Sequence, residues 1–116
     1  MAITSEIIGK LGGADVEVIP VEGAVSGPNG SSKVIATIDI PAGETWLVAV
    51  IGQMVAASTT SGFLPQLHLG DEVSSGKSFG AQGLATTATE PISLSIKRNA
   101  GNGSDAFTGH VYTVKL

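Results

Sequence analysis

His68 and His110 are the only imidazoles in the chain, and cysteine is absent. A zinc site would therefore have to complete its tetrahedral shell with carboxylates. Asp71 and Glu72 lie close to His68, and Ser74, Ser75 and Ser78 follow within a few residues, so the residue types of a nucleophile, a base and an acid occur together. Closeness in sequence does not make a triad, whose members are set by geometry and backed by an oxyanion hole. The chain is rich in Ser and Thr, which makes such coincidences common. The expected role of these histidines is that of surface residues at strand ends, and no catalytic or metal-ligating residue is assigned.

Two glycine-rich strings resemble phosphate cradles. Gly76-Lys77-Ser78 matches the end of a P-loop, but that motif needs a glycine five positions before Gly76, where Asp71 stands and Gly70 is one position too early. Asp71 and Glu72 would also set negative charge against phosphates. Gly101-Asn102-Gly103-Ser104-Asp105-Ala106 spells the dinucleotide string, yet the remaining residues alternate as a strand, which leaves no crossover helix and no later acidic partner for a ribose. Asn99, Asn102 and Asp105 could gather round calcium, but such a site wants six to eight oxygens with several carboxylates, and this loop supplies one. No cofactor is expected. Trp46 is a candidate stacking residue for a sugar, but Val48 and Val50 share its face, so burial is the expected role.

These residues have to be positioned by a chain of 116 residues, the length of one domain. Charged residues make up 14% of it, against a usual ~25%, and it holds 16 glycines. Neither charge-driven disorder nor a Lys/Glu-rich helical bundle fits that composition. Six Lys and Arg against ten Asp and Glu give a net charge of −4, with the cations scattered, so no basic stripe for nucleic acid is expected. Residues 46–57 form the longest apolar stretch, short of the ~20 needed to span a bilayer, and no membrane insertion is expected. Lys10 is the one cation near the start and no apolar run precedes it, so a secretory signal is not expected. The Asn-Gly-Ser triplets at Asn29 and Asn102 then read as turns rather than glycosylation sites.

Period-two alternation dominates, in segments bounded by Gly, Pro, Asn and Ser. Residues 15–21, with Val16 and Val18 alternating and Pro20 removing a ladder donor, read as a first or edge strand. After the breakers of residues 27–32, Val34, Ala36, Ile38 and Ile40 line one face. Pro41-Ala42-Gly43-Glu44 makes a tight turn into a predicted hairpin with residues 46–57. Both faces of that second arm are apolar, which suits the middle of a sandwich or a subunit contact. Leu67 and Leu69 point inward from residues 66–70, and residues 71–89 form a small-residue stretch anchored by Val73, Phe79 and Leu84. Ile92, Leu94 and Ile96 mark the cleanest half-buried strand. After a loop at 99–105, a terminal strand at 108–116 carries His110, Tyr112, Val114 and Leu116 on one face. Residues 1–13 read either as a short capped helix or as an extended arm, and residues 14–116 as an all-β, antiparallel sandwich or jelly-roll-like domain.

The opening Met1-Ala2-Ile3-Thr4-Ser5-Glu6-Ile7-Ile8-Gly9-Lys10-Leu11-Gly12-Gly13, the segment Ile40-Pro41-Ala42-Gly43-Glu44-Thr45-Trp46-Leu47-Val48 and the closing Ala106-Phe107-Thr108-Gly109-His110-Val111-Tyr112 resemble small virion proteins of tailed bacteriophages, especially those infecting actinobacteria. The resemblance implies a non-enzymatic structural subunit, made in the host cytoplasm and located in the virion. It favours a minor tail protein over a capsid decoration protein, with other virion proteins as partners and a homo-oligomer, preferably a trimer. It transfers no site residue. A free-standing carbohydrate- or protein-binding module is the alternative from outside that family. The scarcity of surface charge is consistent with a surface that is covered by partners.

Overall fold

The structure, a computed structural model, describes residues 16–56, 63–75 and 83–116. Eight strands run in chain order: β1 (Glu17–Gly27), β2 (Ser32–Ile38), β3 (Trp46–Val55), β4 (Gln66–Leu69), β5 (Glu72–Ser75), β6 (Gly83–Ala88), β7 (Ile92–Lys97) and β8 (Gly103–Lys115). They form two antiparallel four-stranded sheets, β1-β8-β3-β6 and β2-β7-β4-β5. The pairs β1 with β8, β2 with β7, β3 with β6 and β4 with β5 are those of one long hairpin, wound until β8 also meets β3 and β7 meets β4. That is the jelly-roll arrangement of two packed sheets. The tip of the hairpin is the two-residue turn at Gly70 and Asp71, where Gly70 has a φ of 56° that a side chain would oppose.

The core lies between the sheets. Val21 and Val25 of β1, Val48, Val50 and Met54 of β3, Leu84 of β6 and Phe107 and Val111 of β8 face Ile38, Leu67, Leu69, Leu94 and Ile96 from the other side. The doubly apolar arm takes the central place expected of it, with β8 on one flank and β6 on the other. Its predicted hairpin with the preceding strand does not form. The turn is present, with Glu44 N donating to Pro41 O at 3.2 Å and Gly43 at a φ of 80°, but it carries the chain from one sheet to the other. β2 pairs with β7 instead.

Other expectations are corrected by the same packing. The inward residues of β1 are Ile19, Val21 and Val25, while Val18 is exposed. The stretch at 71–89 contains β5 and β6. Leu84 anchors it in the core, Val73 points outward beside His68, and Phe79 lies outside the described residues. β8 begins five residues before the predicted terminal strand. His110, Tyr112 and Val114 share a face as expected, and it is the outer one, since Phe107, Val111 and Thr113 point inward. The segment 1–13 lies outside the described residues.

Candidate functional site

At one end of the sandwich the start of β1, the end of β2 and the start of β3 converge on a cleft of about 300 Å³. Its lining includes Glu17, Thr37, Asp39, Pro41, Trp46 and Thr113. Strand pairing explains the meeting: Glu17 and Val48 flank Thr113 on either side, and the crossing at Ile40 and Pro41 closes the mouth. Trp46 is half-buried against the core, and its Nε1 donates to Glu44 Oε1 at 3.1 Å. Lys115 Nζ lies 3.4 Å from the same Glu44 oxygen. The indole is thereby held with its polar edge satisfied, while Glu17 and Asp39 offer exposed carboxylates and Thr37 an exposed hydroxyl. Such a set can accept and donate hydrogen bonds to a polyhydroxylated molecule and pack an apolar face on it. Trp46 thus departs from full burial, because the cleft reaches its ring.

The loop once compared with a dinucleotide or calcium site is built round a buried ion pair. Arg98 Nη1 lies 2.9 Å from Asp105 Oδ2, with the side chains 1% and 3% exposed. Arg98 Nη2 also donates to Gly101 O, and the Arg98 backbone is tied to the Gly30 turn by hydrogen bonds at both its N–H and its carbonyl. Asp105 is therefore engaged with a guanidinium rather than free to gather round a cation with Asn102. Sequence reading missed this pair by treating charges as surface groups. The signal was present: inward parity runs Ile92, Leu94, Ile96, Arg98 on one strand and Asp105, Phe107, Val111 on the other.

The remaining candidates are not brought together. His68 lies on the outer face of β2-β7-β4-β5, with its Nε2 3.1 Å from Gln66 Oε1, whereas His110 lies on the outer face of the opposite sheet near Tyr112. Burial, reinforced by the nearby Lys97 cation, holds the His68 imidazole below its ordinary pKa of 6.5. Asp71 sits in the turn, Glu72 pairs with Leu69, and Ser74 with Leu67, on the parity opposite to His68. Gly76, Lys77 and Ser78 lie outside the described residues. Gly76-Lys77-Ser78-Phe79-Gly80 also spells the Gly-x-Ser-x-Gly of hydrolases, a string that works on a strand-to-helix turn of an α/β sheet, whereas the described residues form an all-β sandwich. Among the described residues no group of three or more His, Asp or Glu could hold a metal ion, and no helix is long and apolar enough to cross a membrane.

No family model matches the chain, and no curated protein matches it in sequence. Among solved structures it is similar to FlhE, at 16% identity over 89% of this chain and 98% of that one, with a TM-score of 0.47. It is also similar to the CBM36-1 domain of a multidomain xylanase from the hindgut metagenome of Trinervitermes trinervoides, at 15% identity over 88% and 98% and a TM-score of 0.40. A third likeness is to the capsid of Helicobacter pylori bacteriophage KHP30, at 10% identity over 87% and 98% and a TM-score of 0.40. At these identities and scores the likeness is one of β-rich shape and carries no function.

Proposed function

We propose that this chain is a non-enzymatic structural subunit of a tailed-phage particle, in the tail rather than on the head, acting by packing against copies of itself and other virion proteins. The observation that carries the reading is the outer face of β2-β7-β4-β5. Pairing sets Val34, Ser95, His68 and Val73 in one row across all four strands, with Lys97, Gln66 and Ser75 in the next. Val34 and Val73, 55% and 44% exposed, stand on the two edge strands, and among the described strand residues Lys97 is the one lysine or arginine on a face without carboxylates. Surfaces kept in water normally mix charges of both signs. A surface rich in Ser, Thr and Val suits a homo-oligomer, and a trimer is the preferred form. Jelly rolls build viral capsid subunits and lectins alike, which supports the reading only by analogy of fold.

Mass spectrometry of purified particles is the test. The chain should be present in the particle, immunogold should label the tail, and light scattering of the isolated protein should give a trimer. Absence from particles while the chain is abundant in infected cells would defeat the proposal. The Trp46 cleft favours a second reading as a glycan-binding module. That reading requires saturable binding of an oligosaccharide that Asp39→Ala weakens.

A further inference from the structure

The outer face of β1-β8-β3-β6 is unevenly buried. At one end Leu47, Ala49, Ala85 and Val114 are 4%, 0%, 0% and 1% exposed, yet none of them belongs to the core between the sheets. Pairing sets Leu47 beside Val114 and Ala49 beside Ala85, in adjacent rows of that outer face. Burial then fades along β3: Ile51 is half-buried, Gln53 is exposed and Val55 is 72% exposed. Leu47 and Val55 are about 27 Å apart at the usual strand rise. The second sheet packs on the inner side, and the described connections at the buried end, residues 39–45 and 89–91, cross to that sheet.

One further stretch of chain is anchored at the buried end. Glu17 opens β1 opposite Thr113, which in turn pairs with Val48, so β1 begins at the end of the sheet that holds Val114 and Leu47. β3 instead ends at the far end with Val55, and β6 begins at Gly83, opposite Ile51. The opening residues carry Ile3, Ile7, Ile8 and Leu11, which a helix would place on one stripe of about 140°. Four large apolar side chains over two rows of small and medium ones would remove both sets from water.

We infer that residues 3–11 of the same chain dock on this end of the outer face, with Ile3, Ile7, Ile8 and Leu11 over Leu47, Ala49, Ala85 and Val114. The seat is thus filled in cis, which separates it from the self-packing face proposed on the opposite sheet. Because cysteine is absent, engineered pairs report cleanly. Ala49→Cys or Ala85→Cys, combined in turn with Ile3→Cys, Ile7→Cys, Ile8→Cys or Leu11→Cys and oxidised at high dilution, should give an intrachain bond in at least one pairing. It would be read as faster migration of the monomer on a non-reducing gel. The same partners with Val55→Cys should give none. Exclusively interchain bonds, which would indicate a second copy in the seat, overturn the inference. So does the lack of any bond, or equal bonding to position 55. A second measurement uses no cysteine: deletion of residues 1–13 should raise the fluorescence of an apolar dye several-fold, and the corresponding peptide added back should reverse the rise. Unchanged dye binding in a folded deletion variant overturns it.

Discussion

Asp105→Ala should be among the most damaging single changes in this protein. It leaves the Arg98 guanidinium 1% exposed with its main counter-charge gone. Arg98 Nε already has no hydrogen-bond partner among the described residues, and the variant also strips Nη1 of its carboxylate. Removing one partner of a buried pair costs about 3–5 kcal/mol, a large share of the ~5–15 kcal/mol that holds a domain together. For 116 residues the unfolding entropy is about 0.24 kcal/mol/K, so the melting temperature should fall by roughly 12–20 °C. Differential scanning calorimetry measures this directly, and chemical denaturation at 25 °C supplies the free energy. The control is Arg98→Met with Asp105→Leu, which replaces both charges by apolar groups and should recover most of the loss. A drop below about 4 °C for Asp105→Ala, or a double variant as unstable as the single, would show that the pair is not the buried clamp the geometry describes.

Two further outcomes follow from the packing and from one titration. Gly52 and Gly109 face each other across β3 and β8, and a Cβ on Gly109 would lie 2.7 Å from Gly52 Cα and 2.9 Å from Phe107 Cζ. Gly109→Ala should therefore cost about 1–3 kcal/mol in denaturant titration, while Gly101→Ala, whose Cβ meets nothing within 4 Å, should cost almost nothing. An equal effect at both positions would refute the close-approach argument. The His68 imidazole should titrate below 6.5 by NMR, chiefly from burial and secondly from Lys97, and Lys97→Gln should raise it part of the way. Since folding favours neutral His68, its contribution to stability is complete above pH 6.5 and is lost as pH falls through the folded-state value. A midpoint at or above 6.5 would contradict that sign.

How far the fold can be read in the sequence depends on whether the deciding contact is local. β7 was legible because Ile92, Leu94 and Ile96 alternate with Ser93, Ser95 and Lys97, a pattern that only one orientation buries. β3 was legible as a central strand because apolar residues on both faces need neighbours on both flanks and cover above and below. β5 and β6 were not, since Ser, Thr, Ala and Gly at 71–89 give alternation too little contrast. Those strands exist because β4 and β3 offer them a ladder. The false hairpin between β2 and β3 has the same root. Pro41 and Gly43 specify a reversal, but a reversal does not say whether the chain returns within its sheet or crosses to the next.

The candidate cleft was the least legible part, because Glu17, Asp39, Trp46 and Thr113 meet only after the roll has closed. No spacing in the sequence relates them, and each alone is an ordinary surface or strand residue. The buried pair is the intermediate case. Arg98 and Asp105 sit on the inward parity of their strands, so alternation alone would have placed both inside, and a charge can stay there only if an opposite charge faces it. Parity applied to charged residues as strictly as to apolar ones would have found the clamp. It would also have shown that Asp105, engaged with Arg98, is no free ligand for calcium.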